Sequence, residues 1–547
     1  MAEVSVKPYR LRTRVAPSGR RGRRAVLALG LAVTMTTASA ATAGASAPAG
    51  RPGRVLPTLA LGLNAAPWDY IYAANTSAGG GVDVIQPLLK AAGIGLLRYG
   101  GGSYADYYDW QTNTDIQTCI WGSPFGSFTG APFPYDTTAP FTGASCDSTD
   151  SLPFDQFAAQ ANAIGAQSFV TVNYGSGTPA EAAAWVSHAS GRVARWEVGN
   201  ENYGCWEVNN WLARPPENFQ GYQPNDYTTV NGVYENPTCP QVTQGDARGT
   251  QTLATSYAVN ARPFMIAMKK ADPAARIGVP WAFGSTVAGA SVPYNTEWND
   301  TVLGQDGRYV SFVDAHYYPF SFGGSTGGGN PSDQQVLQAL TSVPAQYRQI
   351  RAELDARDPQ AQVVVGETGV SNNTTTTVCT PAGALFAAGD VLSWLAAGAQ
   401  SVDWWDMNNY GNTSAACTNP DYGMFTSSSP PVPETPYYGY VLASVLAQPH
   451  AVLAPMPTSD PAGVLAYQSR LPDGHEAVAF LNTSTSSART VTFRPGTPLS
   501  GQLRTWTYNA GNQNATNSNI VQGAASASSL ARGITLPPES MTILETS

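Results

Sequence analysis

The sequence predicts a TIM-type (β/α)8 barrel followed by a small antiparallel β-sandwich, an α/β chain overall. Three observations carry that expectation. Eight short apolar runs recur before about residue 410, each ending in polar residues. Stretches with apolar residues three and four apart separate them, as amphipathic helices require. Beyond about Pro430 the texture changes to short alternating runs broken by turn residues.

The first 47 residues stand apart from that pattern. Seven arginines fall between Arg10 and Arg24, an apolar stretch runs from Ala25 to Val33, and Ala-Ser-Ala follows at 38–40 and again at 45–47. A basic segment, a short apolar segment and small-residue cleavage sites make a bacterial-type secretory signal with a short linker, so the expected location is extracellular. The apolar segment is too short to span a bilayer. Arg23-Arg24 gives a loose match to a twin-arginine signal.

The eight candidate strands follow in order. They are Ala60–Asn64, Ile94–Tyr99, Gln167–Asn173, Val193–Asn200, Arg276–Phe283, Val310–Tyr317, Gln362–Glu367 and Ser401–Met407. Parallel strands covered on both faces read as continuous apolar runs, which these do. Pro280 weakens the fifth, because proline cannot donate to a ladder. Helical spacing appears at Val82–Ala92, Phe154–Ile164, Pro179–Ser187, Thr252–Lys270, Asp333–Ala356 and Ala382–Ala397. Pro179 with Glu181 marks a helix start. The expected layout is a barrel over 55–430 and a sandwich over 431–547. The latter has a Pro-rich hinge, a helical patch near Tyr437–Leu446 and five short strands, with Gln513–Arg532 left as loop.

Composition narrows the partners. Residues 1–40 hold eight of the 29 basic and one of the 38 acidic residues, so the remainder carries 21 against 37, a net of −16. An acidic chain argues against nucleic acid or anionic membrane as partner. Only 12% of residues are charged, while 13 Trp and 26 Tyr offer flat faces suited to neutral, hydroxyl-rich ligands. No CxxC or Cys/His cluster occurs, and the glycine clusters at 79–81 and 327–329 lack the phosphate-loop pattern. No metal or other cofactor is therefore expected. The oligomeric state stays open.

Six cysteines in an exported chain suggest three disulfides among Cys119, Cys146, Cys205, Cys239, Cys379 and Cys417. Of fifteen connectivities, sequential pairing (119–146, 205–239, 379–417) is favoured. It would staple neighbouring loops at the carboxyl ends of the strands, where barrels of this kind carry their sites.

Two segments concentrate the chemistry. Trp196–Gly204, WEVGNENYG, ends the fourth strand, and Val363–Gly369, VVVGETG, ends the seventh. A barrel sets these two strand ends across its mouth from each other. Glu201 and Glu367 are therefore candidates for the two carboxylates that glycosidic cleavage needs. Either glutamate alone would read equally well as an ion-pair or loop residue. Glu197, on the same strand face but deeper, reads as a paired residue of the barrel interior.

These motifs resemble the clan A glycoside hydrolases, and most closely the arabinofuranosidase-type enzymes of family 51 with their family 39 relatives. The resemblance covers residues 60–410. It implies Glu201 as general acid/base, following Asn200, and Glu367 as nucleophile. Leu97–Trp110, LRYGGGSYADYYDW, is similar to the clan's stretch after strand two, with Arg98 as its arginine. Val172–Gly177 supplies Asn173, and His316-Tyr317-Tyr318 matches the aromatic region ending strand six. Gly100 stands where the family usually has proline. Asp69, within Asn64–Tyr70, is the stand-in for the family's early acidic sugar-binding residue.

Roles follow from the chemistry. Glu367 must be ionised, so Arg98 and Tyr318 are expected to lower its pKa. Asn200 is a candidate partner for the sugar's 2-hydroxyl, and Trp405 or Trp404 for the floor under the ring. The expectation is a secreted, retaining glycosidase working by double displacement on arabinose- or galactose-containing polysaccharide side chains. The alternatives are another clan A activity on xylan, glucan or galactan, or a non-catalytic carbohydrate-binding wall protein.

Overall fold

The computed structural model describes residues 53–73, 81–115, 148–175, 177–203, 228–230, 233–235, 247–283, 294–320, 331–371, 376–409, 422–509, 513–514, 517–518 and 520–547. Eight parallel strands close a barrel: β1 (Leu61–Ala65), β2 (Leu96–Tyr99), β3 (Gln167–Val172), β4 (Val193–Val198), β5 (Ile277–Trp281), β6 (Phe312–Tyr317), β7 (Gln362–Thr368) and β8 (Val402–Trp404). Each coincides with one of the eight apolar runs. Closure comes where β8 returns to β1, with Val402 opposite Leu61. Pro280 is accommodated because β5 pairs with β4 only at Ile277 and Gly278. At Pro280 the chain has passed the end of that ladder, and no N–H is needed on that side.

Helices fill the outer ring. Gly81–Ala91, Phe154–Ile164, Pro179–Ala189 and Ala247–Ala271 follow the first four strands. Thr178 caps the third of these with a reciprocal Thr178–Glu181 box, the start signal read from Pro179 and Glu181. Tyr294–Asp306 follows β5 and has no counterpart among the expected helices. Its apolar positions are sparse, and it is held by buried Trp298, Val302 and Leu303. The expected helix Asp333–Ala356 is two, Asp333–Ala339 and Val343–Arg357, joined by a 3-10 turn at Leu340–Ser342.

Thr435–Leu446 packs on Pro381–Ala397, where Gly439 lies against the Ala384 carbonyl and Ala387. It therefore belongs to the barrel's helical ring. The second sheet begins at Val452 and has seven strands in the order Arg54–Val55, Val452–Pro455, Val464–Arg470, Glu476–Asn482, Ser540–Thr546, Gln502–Asn509, Val521–Ser526. Three of these, Arg54–Val55, Val452–Pro455 and Val521–Ser526, have no counterpart among the expected strands. Arg54–Val55, placed before the barrel in sequence, pairs with Val452–Leu453. Val521–Ser526, inside the stretch left as loop, is an edge strand on Gln502–Thr507. It is mostly exposed and lacks apolar alternation, so its ladder rests on backbone hydrogen bonds.

The sheet is covered on both faces. Val478 and Phe480 point into a small core with Val464, Leu503, Leu544 and the two-stranded Arg489–Val491/Ile534–Leu536 pair. Ala477, Ala479 and Leu481 alternate to the other face and join the barrel core. Tyr467 Oη meets Ser393 Oγ at 2.6 Å, and Ser469 Oγ donates to the Leu446 carbonyl at 2.7 Å. These contacts fix the sheet to the helices after β7 and β8. No described helix is long and apolar enough to cross a membrane.

Among the described residues no cysteine is free, and Cys379 is disulfide-bonded. Cys119, Cys146, Cys205, Cys239 and Cys417 lie outside the described residues.

Candidate active site

The barrel interior is layered. Leu96, Phe169, Phe312 and Val364 form an apolar plug at the amino end. Two residues further along, two of the four strands turn charged, with Arg98 after Leu96 and Asp314 after Phe312. Arg98 rises from β2, over the Phe169 ring at 5.5 Å. Both terminal nitrogens of its guanidinium are ligated by residues around it. Nη1 donates to Asn64 Oδ1 at 3.0 Å and to Glu367 Oε1 at 2.8 Å, and Nη2 donates to Glu197 Oε2 at 2.9 Å and Asn200 Oδ1 at 2.8 Å. Nε lies 3.5 Å from Asp314 Oδ2. Burial opposes the Arg98 charge, but Glu197, Glu367 and Asp314 outweigh it and keep it protonated.

Local backbone features aim the two glutamates. Between Asp314 and His316 the β6/β7 register shifts, so β7 carries a bulge before Glu367. Gly366 sits in that bulge, its N–H donated to Asp314 Oδ1 at 2.6 Å and its carbonyl accepting from Asn64 Nδ2 at 2.7 Å. A Cβ there would lie 2.1 Å from Asp314 Oδ2, so only glycine fits. The bulge re-aims the next side chain toward the mouth. On the other side Glu201 has φ +42, in the left-handed region that non-glycine residues rarely adopt. Such strain persists where surrounding contacts over-determine it, and it clusters at functional sites.

The result is a compact cluster. His316 Nδ1 lies 3.0 Å from Glu201 Oε1 and 3.3 Å from Glu367 Oε2. Tyr318 Oη donates to Glu367 Oε2 at 2.9 Å, and Tyr203 Oη donates to Glu201 Oε1 at 2.9 Å. One oxygen of each glutamate and the His316 nitrogen all fall within 4.8 Å of one another. Glu201 is 20% exposed and Glu367 7%, so Glu201 is the one turned to solvent. Glu197 Oε2 also accepts from Thr171 Oγ1 at 2.9 Å, which makes it the paired interior residue expected.

The electrostatics differ from expectation at one point. Burial pushes Glu367 above the ordinary carboxylate value, and the His316 and Arg98 charges and the Tyr318 hydroxyl only partly pull it back. The nucleophile candidate is therefore raised rather than lowered, because desolvation outweighs its partners. Burial, reinforced by Asp314, pushes Glu197 up to about 8. For His316 burial favours the neutral ring, but Glu367, Asp314 and the hydrogen bonds to Asp314 and Glu201 hold it well above its ordinary value. Two cations, Arg98 and His316, thus face four carboxyls.

A second donor set, Glu197, Asp314 and His316, also falls within 4.8 Å. Both sets share His316. Arg98 already compensates the carboxylates. The cluster is suited to proton transfer.

The remaining expected residues divide. Trp405 lies against Gly102, 2.8 Å from where a Cβ would stand, and its carbonyl borders Gly369 beside Tyr318. Trp404 points away, packing on Phe386 and Tyr440 with its Nε1 donating to the Tyr422 carbonyl. Asn173 bonds the Tyr108 carbonyl at 3.1 Å and the Gly177 N–H at 2.9 Å, which ties two loops together. Asp69 is not brought to the carboxylate pair. It is fully buried, its Oδ2 accepting from the Ala66 N–H at 2.6 Å, and it closes the turn after β1. Asn64, Thr171, Asp314, Tyr203 and Asp106 join the site without having been singled out. Asp314 was within reach of sequence reasoning, since it precedes His316 by two on one strand face.

The closed parallel barrel, with Asn200-Glu201 after β4, Glu367 near the end of β7 and an antiparallel sheet behind it, agrees with the fold that the resemblance to clan A glycoside hydrolases implies. Among solved structures, this chain is similar to the α-L-arabinofuranosidase of Thermotoga maritima, with TM-score 0.61 and 16% identity over 91% of this chain and 98% of that one. It is likewise similar to a family 51 α-L-arabinofuranosidase of Bifidobacterium longum, with TM-score 0.62 and 16% identity over the same shares. At such identity the likeness establishes the fold. A curated protein, probable α-L-arabinofuranosidase C of Aspergillus flavus, is 23% identical over 160 residues, 26% of this chain. That match spans 28% of the Aspergillus protein's length. No family model matches the chain.

Proposed function

We propose that this protein is a secreted, retaining glycoside hydrolase that removes arabinofuranosyl or related residues from polysaccharide side chains. The observation that carries the reading is the proximity of Glu201 and Glu367, one carboxylate oxygen of each lying within 4.8 Å of the other. Retaining enzymes hold their carboxyls about 5–5.5 Å apart, whereas inverting ones leave about 6.5–9.5 Å for a water.

In the first step the Glu367 carboxylate attacks the anomeric carbon. The glycosidic C–O bond breaks, and the Glu201 proton passes to the leaving oxygen. A glycosyl ester on Glu367 results. Glu201, now ionised, takes a proton from water, the water oxygen attacks the anomeric carbon, and Glu367 departs as carboxylate. Arg98 at Oε1 and Tyr318 at Oε2 hold the nucleophile through both steps. Asn200, fixed by Arg98 beside Glu201, is the candidate partner for the 2-hydroxyl. Trp405 is the candidate wall for the sugar ring.

The arabinofuranosyl assignment is supported by the names of the solved and curated proteins it resembles. Residues 1–47 serve as the export signal in this reading, and the cysteines pair 119–146, 205–239 and 379–417 in an oxidising compartment. The bonded state of Cys379 supports an oxidising compartment.

Hydrolysis of a panel of aryl glycosides, with arabinan, arabinogalactan and xylan, tests the proposal. Fastest turnover is expected on the arabinofuranoside. Preference for a xyloside or glucoside would reassign the sugar. Binding without turnover of any substrate would make the protein a lectin.

A further inference from the structure

Glu201 has a left-handed backbone, and its carboxylate tip is held by Tyr203 and His316. Those contacts do not explain what keeps its main chain in that conformation. The explanation comes from the loop after β2. Asp106 lies in the 3-10 turn Gly102–Tyr107 after β2 and is fully buried. Its Oδ2 accepts from the Asn200 N–H at 3.2 Å and from Asn202 Nδ2 at 3.0 Å, the residues immediately before and after Glu201. Asn202 Nδ2 also donates to the Asn200 carbonyl at 2.9 Å, which closes a small ring of bonds around Glu201. The other oxygen, Oδ1, accepts from the Tyr174 and Gly175 N–H groups, both at 3.2 Å, in the loop after β3. That loop approaches closely enough that a Cβ on Gly175 would lie 2.9 Å from Asp106 Cβ and 2.4 Å from its carbonyl oxygen. One carboxylate thus ties the loops after β2, β3 and β4.

We propose that Asp106 is a positioning residue for the acid/base: its carboxylate clamps both neighbours of Glu201 and holds that residue in the conformation that aims it at the glycosidic oxygen. The proposal rests on the reading of Glu201 as acid/base. In the described contacts Asp106 meets the Asn200–Asn202 segment at the residues on either side of Glu201, and acts on Glu201 through them. The chemistry of the clamp requires a carboxylate. Four donors converge on two acceptor oxygens. An asparagine of the same size would turn an NH2 donor toward two of those donors.

The test is Asp106→Asn, assayed beside Glu201→Gln on two substrates of one sugar, an alkyl glycoside and a dinitrophenyl glycoside. The dinitrophenolate leaves without a proton, so the first step with it does not need a placed acid. Misplacing a catalytic group by about 1 Å costs on the order of 10²-fold, and a kcat loss of that size is expected for Asp106→Asn on the alkyl glycoside, with KM nearly unchanged. The loss on the dinitrophenyl glycoside should be much smaller. Added azide, a nucleophile that needs no base, should raise its turnover further and yield the glycosyl azide. Equal losses on both substrates with no azide effect, or no loss on either, would overturn the proposal. Glu201→Gln separates the two readings: if it lacks leaving-group dependence, the acid/base assignment fails whatever Asp106 does. Should Asp106→Asn not fold, Asn202→Ala removes one bond to the same oxygen, and the same pattern at smaller amplitude is required of it.

Discussion

The mouth of the barrel and the sheet behind it are both strand-built, yet they fill their buried positions in opposite ways. In the sheet, Glu476–Asn482 alternates cleanly, with Val478 and Phe480 toward one core and Ala477, Ala479 and Leu481 toward the other. At the mouth, equivalent positions hold Arg98, Glu197, Asp314, His316 and Glu367, all buried. Burying charge is costly even when each charge is paired, and apolar residues of similar volume often stabilise more. The sheet is therefore organised for packing, and the mouth for chemistry at the expense of stability. Glu201 in the left-handed region belongs to the same contrast.

That contrast can be broken or sharpened by substitution. The largest effect is expected from Glu367→Ala, which removes the nucleophile: turnover of an aryl glycoside should fall by at least about 10⁴-fold. Its melting temperature should stay level or rise, because a buried acid is removed. Next in size is Arg98→Met, which leaves Glu197, Asp314 and Glu367 without their shared cation. Denaturant unfolding should report a loss of about 3–5 kcal/mol, along with loss of activity. Val478→Ala, in the sheet core, should cost about 2 kcal/mol in the same experiment and leave kcat and KM untouched. A change in kcat there would mean the sheet does more than support the barrel.

The smallest effect concerns the join between the regions. Glu539 accepts a hydrogen bond from the Ala382 backbone, and burial first and Asp333 second push it up to about 7. The folded protein thus holds a proton that the unfolded chain releases near the ordinary glutamate value of 4.5. Stability from this group is present at low pH and declines as pH rises from roughly 4.5 to 7. Glu539→Gln should melt with the parent at pH 4.5 and slightly above it at pH 8. Identical melting at both values would show that Glu539 does not titrate in that window.

The same contrast explains what the sequence revealed. The eight barrel strands were legible because burial on both faces leaves uninterrupted apolar runs. Glu201 and Glu367 were legible because each interrupts its surroundings at a strand's end. The helix Tyr294–Asp306 was not, since three buried apolar side chains among the described residues are too few to set a period. Nor was the pairing of Arg54–Val55 with Val452–Leu453, a contact between residues nearly 400 apart that no local pattern encodes. Asp69 and Asp106 show the limit most clearly. Both are single acids in polar loops, and one closes a turn while the other braces the Glu201 loop. Only three-dimensional register tells them apart. Glu367 was expected to be lowered by its neighbours, and burial, which the sequence does not display, reversed that direction.

The central claim is that Glu201 and Glu367 work as a retaining pair. Proton NMR of the reaction mixture in its first minutes, before the released sugar mutarotates, tests it most directly. The first-formed sugar should have the same anomeric configuration as the substrate. A first-formed anomer of opposite configuration would mean a single displacement by water, and would contradict the role assigned to Glu367.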